Sequence, residues 1–269
     1  MAKPEYLYGK HAALEALRSG REIRRLLLAS TVQAASVAEL SALARSRGVP
    51  VSAVDRRRLD LLADGHSHQG VLAEAAPFVY AGLDDLLAGP TTAGRSPLLL
   101  ALDSLQDPQN FGTLLRTALA AGVDGVVIAE HRAVGITPAV TRASAGAVEY
   151  LAVARVANVT RSLRSLKERG VWAYGLAAGA GRPFWEVDWR LPSVVVVGSE
   201  GHGLGRLVRD TCDVMVHVPM APGSLESLNA AVAGSLVLYE AFRQRATPPA
   251  TDPEASATGS RRAGSSSTT

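Results

Sequence analysis

The chain has 269 residues, of which 47% are hydrophobic and 20% are charged, and this composition excludes a wholly disordered or a fibrous protein. Its single cysteine, Cys212, excludes an intrachain disulfide framework and a cysteine-based zinc cluster. The formal net charge of +3 is mildly basic, so it permits a nucleic-acid partner without requiring one.

Composition divides the chain into four segments. We predict a first domain over residues 1–87 and a second over 98–245. Residues 88–97 are rich in Gly, Pro and small polar side chains, which predicts a linker. Residues 246–269 contain no Leu, Ile, Val, Met or aromatic residue, so we predict a disordered tail.

The first segment mixes the two kinds of periodicity. Short apolar runs at 26–28 and 71–73 predict strands, and the apolar spacing over 37–44 predicts a helix. These patterns indicate a small α/β or α+β domain. Its arginine clusters at 21–25 and 56–58 are either solvated surface or contacts to phosphate groups.

The second segment alternates strands and helices. Apolar runs predict strands at 98–102, 126–128, 151–153, 171–176, 194–197 and 214–218. Thr160 is the predicted N-cap of a helix that ends at Gly170. A final helix should carry one apolar face, formed by Leu225, Leu228, Val232, Ser235, Leu236 and Tyr239. Unbroken apolar strands alternating with helices predict an α/β fold with a mostly parallel sheet covered on both faces.

Three of these strands are followed by unusual residues, and ligands of such sheets bind beyond the carboxyl ends of the strands. Residues 103–112 include Asn110 and lead into a helix with Arg116. Residues 198–205 contain four glycines and Glu200. Residues 219–229 include Ser227 and Asn229. Helix caps, a tight turn and a solvated arginine would explain each segment alone, but three in one sheet favour a binding site.

The glycine-rich segment differs from the common phosphate-binding loops. Leu204 stands where a P-loop has its lysine, and the glycine spacing is not that of a dinucleotide-binding turn. Glu200 would repel a phosphate, so a neutral or cationic ligand suits this loop better. His66 and His68 have no acidic or cysteine partner at ligand spacing, so we expect no metal site.

In these segments the sequence resembles the SpoU, or TrmH-type, branch of the SPOUT RNA methyltransferases. Three motifs carry the resemblance in order: 107–112 followed by Arg116, 197–204, and 218–220 followed by 226–229. Tyr8-Gly9 and His68-Gln69-Gly70 resemble the additional RNA-binding domain of RlmB-type members. Two positions depart from the family pattern: Ala230-Ala231 replaces the usual Val-Ser, and Pro222-Gly223 adds a residue relative to many bacterial members.

The resemblance implies a SPOUT-type parallel sheet with a C-terminal trefoil knot, preceded by a small α/β RNA-binding domain, in a homodimer. It implies S-adenosyl-L-methionine as methyl donor and a ribose 2′-hydroxyl as acceptor. The implied catalytic residues are Arg116, Asn110, Glu200, Ser227 and Asn229. The implied cofactor contacts are Gly198, Val218 and Leu228, with Leu176, Ala177, Gly201 and Met220 as neighbours.

An arginine rarely loses its proton, so we interpret Arg116 as a clamp on the target phosphate that stabilises the developing alkoxide. A phosphate oxygen would take the proton, and the other four residues would orient Arg116 and the loops. By resemblance, the target is a guanosine in large-subunit ribosomal RNA. Transfer RNA is less favoured because members that act on it usually lack the first domain.

Three alternatives remain at this point. The chain could be a ribosomal-RNA-binding factor that keeps the fold without catalysis, or an enzyme whose methylation confers antibiotic resistance. A doubly wound oxidoreductase or a class I methyltransferase would place the glycine-rich turn after the first strand, whereas here that position holds residues 107–110.

No apolar run reaches the roughly 20 residues of a membrane-spanning helix, and residues 1–10 do not resemble a signal peptide. We therefore expect a cytoplasmic protein without membrane contact.

Overall fold

The structure, a computed structural model, describes residues 5–179, 181–223 and 227–246. The N-terminal unit has four strands, β1 (Glu5–Tyr8), β2 (Ile23–Ala29), β3 (Val51–Val54) and β4 (Val71–Ala75). They form one sheet in the order β1-β4-β2-β3, in which only the β2–β3 pair is parallel. Its helices are α1 (Lys10–Ser19), α2 (Ala38–Ser46) and α3 (Arg56–Ala63).

Both faces of this small sheet are covered. Successive residues of a strand point to opposite faces, so Leu26 packs into the core under α1 and α2 while Leu27 packs with Leu59 of α3. The two apolar runs predicted as strands are β2 and β4, and the predicted helix is α2 with a short 3₁₀ turn before it. This confirms the prediction of a small α/β unit.

The C-terminal unit is built on a seven-stranded sheet. Its strands are β5 (Leu98–Leu102), β6 (Gly125–Ala129), β7 (Val153–Val156), β8 (Trp172–Leu176), β9 (Arg182–Pro183), β10 (Ser193–Val197) and β11 (Val214–His217). The order is β7-β6-β5-β10-β8-β11-β9, and every pairing is parallel. In the described ranges six helices accompany it: α4 (Asp85–Thr92), α5 (Pro108–Ala120), α6 (Pro138–Ala143), α7 (Val159–Glu168), α8 (Arg206–Thr211) and α9 (Ala230–Ala246).

Central strand β5 shows why the apolar runs are unbroken. Leu100 faces the core that includes α5 and α9, and its neighbour Leu99 faces the core that includes α7. A strand that is buried on both faces has no solvent side, so it needs no polar residue in alternation. The predicted parallel sheet with helices on both faces is confirmed.

Several predicted boundaries were wrong. Residues 88–92 are not linker but the end of α4, because Leu86 anchors this helix on β6 and composition does not reveal that contact. The strand predicted at 151–153 is β7, shifted because a 3₁₀ turn occupies Ala147–Tyr150. Asn158, not Thr160, caps α7, since its side chain accepts from the Arg161 amide.

The last helix also begins later than predicted. Leu228 precedes α9, and Leu225 and Glu226 lie outside the described residues. Of the predicted disordered tail, Ala246 belongs to α9 and the rest is not described. The remaining domain boundaries stay predictions. No helix in the described ranges is long and apolar enough to cross a membrane.

One buried arginine links the two units. The Arg21 guanidinium pairs with Glu5 at 2.7 Å and, across the boundary between the units, with Glu149 at 2.8 Å. It also donates to the carbonyl oxygen of Ala76. Burial raises the pKa of the Glu149 carboxyl, although Arg21 acts in the opposite direction. The ionised form of Glu149 therefore depends on this partner.

We expect Arg21→Ala to lower the free energy of unfolding by about 3–5 kcal/mol, because it leaves buried carboxylates without a countercharge. The loss should shrink in mild acid: protonation removes the charge of Glu149, and a carboxyl with a raised pKa binds its proton more tightly in the folded state. Urea denaturation at two pH values measures both effects. Arg18→Ala, which breaks the exposed pairs with Glu15 and Glu39, is the control. Equal losses in the two variants would contradict the assignment.

Candidate active site

A cavity of about 740 Å³ opens at the carboxyl ends of β8, β10 and β11. Four segments contribute to its wall: 176–179 after β8, 197–203 after β10, 217–220 after β11, and 227–233 around the start of α9. Two of the three unusual strand exits thus border one cavity. The wall includes ten candidate residues, Leu176, Ala177, Gly198, Glu200, Gly201, Val218, Met220, Ser227, Leu228 and Asn229.

The glycine-rich segment folds back on itself beside β10. Ser199 and Gly203 exchange two main-chain hydrogen bonds of 3.0 Å. A Cβ on Gly198 would lie 2.1 Å from the Gly203 carbonyl carbon, so only glycine fits there. Asp103, at the end of β5, accepts a hydrogen bond of 2.7 Å from the Gly205 amide and holds the far end of the turn. The glycines therefore bring main chain, rather than side chains, to the cavity.

Three polar side chains join the three strand exits. Asn110 Nδ2 donates to Glu200 Oε1 at 2.6 Å. Asn229 Nδ2 donates to Asn110 Oδ1 at 3.1 Å, and Asn229 Oδ1 caps α9 by accepting from the amides of Ala231 and Val232. This network brings together side chains that are up to 119 residues apart in the sequence.

Local structure fixes Asn110 for this role. Asp107 caps α5: its carboxylate accepts from the amides of Gln109 and Asn110, and Pro108 occupies the first turn. Gly112, one turn later, lies so close to Ala143 of α6 that a Cβ would be 2.3 Å from the alanine Cβ. The cap and this close contact hold the start of α5 against its neighbours.

Arg116 lies apart from the cavity. Its side chain is exposed on α5, does not line the cavity wall, and forms no hydrogen bond or ion pair with another described residue. Helices α5 and α9 pack side by side near it, with a hydroxyl hydrogen bond of 3.0 Å between Thr117 and Ser235 and with Leu114 against Gly234. Within one copy of the chain, Arg116 therefore shares α5 with Asn110 but does not contribute to the cavity wall.

His217 is a wall residue that the sequence analysis missed. Its Nδ1 is buried without a hydrogen-bond partner in the part of the chain that the structure describes. It is the last residue of β11, directly before Val218, so its place at a strand exit was the available signal. The His217 ring therefore borders the cavity, whereas its Nδ1 is turned away from accessible space.

The charge of the wall limits the ligand. The described wall residues include no Lys or Arg, and Glu200 is the acidic one. A phosphate-bearing cofactor would lack a cationic partner here, which disfavours the dinucleotide-dependent alternative, whereas a cationic group would be attracted. In the ranges that the structure covers, no group of three or more His, Cys, Asp or Glu could hold a metal ion.

Two family models match the chain. The model of the SpoU rRNA methylase family matches residues 97–239, and a model for RNA 2′-O ribose methyltransferase substrate binding matches residues 6–81. The chain belongs to the SpoU rRNA methylase family. The resemblance carried by the three motifs is thus confirmed, and the family's RNA-binding module covers the predicted first domain.

Similar sequences and solved structures of similar proteins support the assignment of this SpoU methylase to the family. YacO of Bacillus subtilis, named as a TrmH family tRNA/rRNA methyltransferase, is 43% identical over 90% of this chain and 96% of its own length. The SpoU methyltransferase AviRb from Streptomyces viridochromogenes, solved with S-adenosylmethionine, superposes with a TM-score of 0.75 at 26% identity, covering 90% of both chains. An S-adenosylmethionine-bound rRNA methyltransferase from Sinorhizobium meliloti gives 0.73 at 26% identity, covering 89% and 87%. The predicted SpoU fold class is confirmed, while the knot stays a prediction.

Proposed function

We propose that this SpoU methylase transfers the methyl group of S-adenosylmethionine to a ribose 2′-hydroxyl of ribosomal RNA. A guanosine of the large-subunit RNA is the proposed target, and the cytoplasm is the proposed site of action. The observation that carries the proposal is the hydrogen-bonded network of Asn110, Glu200 and Asn229 at the edge of the cavity. This network brings residues of all three family motifs together. An enzyme that binds the methyl donor and the RNA ribose at one place requires such a convergence.

The cavity fits the methyl donor. The turn at Gly198 and Gly203 offers main-chain groups for an adenosine, and Glu200 attracts a sulfonium charge. When bound, the donor supplies an activated methyl group. Gly198, Val218 and Leu228 remain our proposed principal contacts to it.

The protein's polar residues would position the RNA and promote the transfer. Methyl transfer requires alignment of the ribose oxygen and removal of its proton. Glu200 and Asn229, each hydrogen-bonded to Asn110, would orient the target ribose at the cavity edge. Arg116 would hold the adjoining phosphate and stabilise the developing alkoxide, so that a phosphate oxygen accepts the proton. This role requires Arg116 to reach a cavity, although Arg116 does not line the cavity of its own chain.

A homodimer meets that requirement. The exposed face of α9 is an apolar stripe, formed by Val232, Leu236, Tyr239 and Phe242. The neighbouring α5 exposes Leu119 one turn after Arg116. We propose that a second copy of the chain covers this face, because an unpartnered apolar stripe beside the site network is costly in water. Arg116 of one copy would then face the cavity of the other.

Leu236→Glu should convert the dimer to a monomer, because it places a charge at the centre of the stripe, and methyl transfer should be lost with it. Sedimentation velocity measures the change. Leu207→Glu is the control, since Leu207 is also exposed but lies on α8, which packs on the other face of the large sheet. A dimer that survives Leu236→Glu, or dissociates equally in both variants, would rule out this interface.

The function itself is tested with purified protein, methyl-labelled S-adenosylmethionine, and ribosomal and transfer RNA from cells that lack the protein. Digestion to nucleosides should place the label in 2′-O-methylguanosine from the large-subunit RNA. Label in transfer RNA alone would contradict the proposed substrate. Donor that binds but is never used would favour the non-catalytic factor instead.

A further inference from the structure

The His68-Gln69-Gly70 motif borders a second cavity, in the N-terminal unit, that the catalytic site does not use. This cavity has a volume of about 280 Å³, several times the roughly 30 Å³ that one water molecule occupies. It lies between the segment after β2, the start of α3 and the turn at 69–70. Its polar wall is formed by Thr31, Gln33, Ser36, Arg56 and Gln69.

His68 fixes two walls of this cavity relative to each other. The buried His68 ring accepts a hydrogen bond of 3.0 Å from the Gly70 amide at Nδ1. Since Nδ1 accepts, Nε2 carries the hydrogen of the neutral ring and donates to Asp60 of α3 at 2.8 Å. The motif histidine thus ties the turn at 69–70 to the helix whose first residue is Arg56.

The other two residues of the motif shape the turn. Gln69 has a φ of 51°, a left-handed conformation that is uncommon for a residue with a side chain. Gly70, with a φ of 78°, packs so close to Val32 that a Cβ would lie 3.3 Å from Val32 Cγ2. The Gln69 amide and the Arg56 guanidinium are exposed and form no hydrogen bond or ion pair with other described residues. Both groups are free for a ligand.

We propose that this cavity binds one unstacked nucleotide of the RNA substrate. The Gln69 amide and the Thr31 hydroxyl offer donors and acceptors to the edge of a base, as in the recognition of bases in single-stranded RNA. The Ser36 hydroxyl donates to the Gln33 carbonyl oxygen at 2.7 Å, so it offers an acceptor. The N-terminus of α3 is not free to bind a phosphate, because the Asp55 carboxylate already accepts a hydrogen bond from the Arg57 amide there. The contact to the phosphate is therefore supplied by Arg56. The inference rests on the proposed function in that the ligand is RNA.

Binding of two RNA probes, large-subunit ribosomal RNA and transfer RNA, tests the proposal by fluorescence anisotropy without the methyl donor. Arg56→Ala and Gln69→Ala should each weaken binding of the RNA that the wild type binds by about tenfold or more. Arg57→Ala removes the same charge one residue along α3 but does not line the cavity, so it should weaken binding by less than about threefold. Arg56→Ala should also reduce the slope of log Kd against the logarithm of the salt concentration by about one, whereas Gln69→Ala should leave this slope unchanged.

Unchanged thermal unfolding and donor affinity would show that the variants fold. Equal losses for Arg56→Ala and Arg57→Ala, or wild-type affinity in Gln69→Ala, would overturn the assignment of the cavity. A wild type that binds neither RNA would overturn it as well. Binding of transfer RNA through the cavity without methylation of ribosomal RNA would instead contradict the proposed function and support the cavity.

Discussion

Gly198→Ala is expected to abolish binding of S-adenosylmethionine. The new Cβ would lie 2.1 Å from the carbonyl carbon and 2.3 Å from the carbonyl oxygen of Gly203. These are main-chain atoms, so no side-chain rotation can relieve the clash. The turn that closes over one side of the cavity would have to open, and the Gly205 amide would lose its fixed place on Asp103.

Isothermal titration calorimetry with the donor measures the effect, and we expect the affinity to fall at least about a hundredfold, in line with the loss of several preorganised contacts. Gly181→Ala is the control for the glycine-to-alanine change: a Cβ there meets no atom within 4 Å, and Gly181 does not line the cavity. Nearly normal donor affinity in Gly198→Ala would show that the donor binds elsewhere.

Arg116→Ala should reduce the rate of methyl transfer at least about a hundredfold, the scale for the loss of one group that stabilises developing charge. Donor affinity should stay within about twofold of the wild type, because the proposed partner of Arg116 is the RNA phosphate and not the donor. Single-turnover transfer measures the first quantity and calorimetry the second. The split between them distinguishes a catalytic role from a structural one.

Arg164→Ala provides the control for loss of an exposed arginine. Arg164 lies on α7, which covers the opposite face of the large sheet from α5. It should transfer the methyl group at the wild-type rate. Turnover by Arg116→Ala that matches this control would remove Arg116 from the mechanism.

Much of the fold could be predicted because each central strand is buried on both faces and each helix on one. The runs at 98–102 and 194–197 identified β5 and β10 almost residue for residue. The prediction failed where a helix boundary depends on one polar cap or on tertiary packing. The start of α9 is set by the Asn229 cap, and α4 is held by the burial of Leu86 against the large sheet.

The part of the candidate site that lies at strand ends could also be predicted from the sequence. Residues that follow strands of a parallel sheet must meet at one edge, so Glu200 and Asn229 were expected to converge. His217 is the polar last residue of β11, so its place at a strand exit could be predicted, but nothing in the sequence marks its unpaired nitrogen. In our proposal the place of Arg116 depends on a second copy of the chain, and a single sequence indicates such a contact only through the apolar stripe on α9.

Hybrid dimers test most directly whether Arg116 completes the site of its partner. Chains with Arg116→Ala and chains with Gly198→Ala, each inactive alone, are tagged differently, co-expressed and purified as the mixed dimer. If Arg116 acts across the interface, one of the two sites is intact and the hybrid should recover about half of the wild-type rate per dimer. A hybrid as inactive as its parents would contradict the account. That result is expected if Arg116 acts on the cavity of its own chain, because one chain then lacks the arginine and the other lacks the donor site.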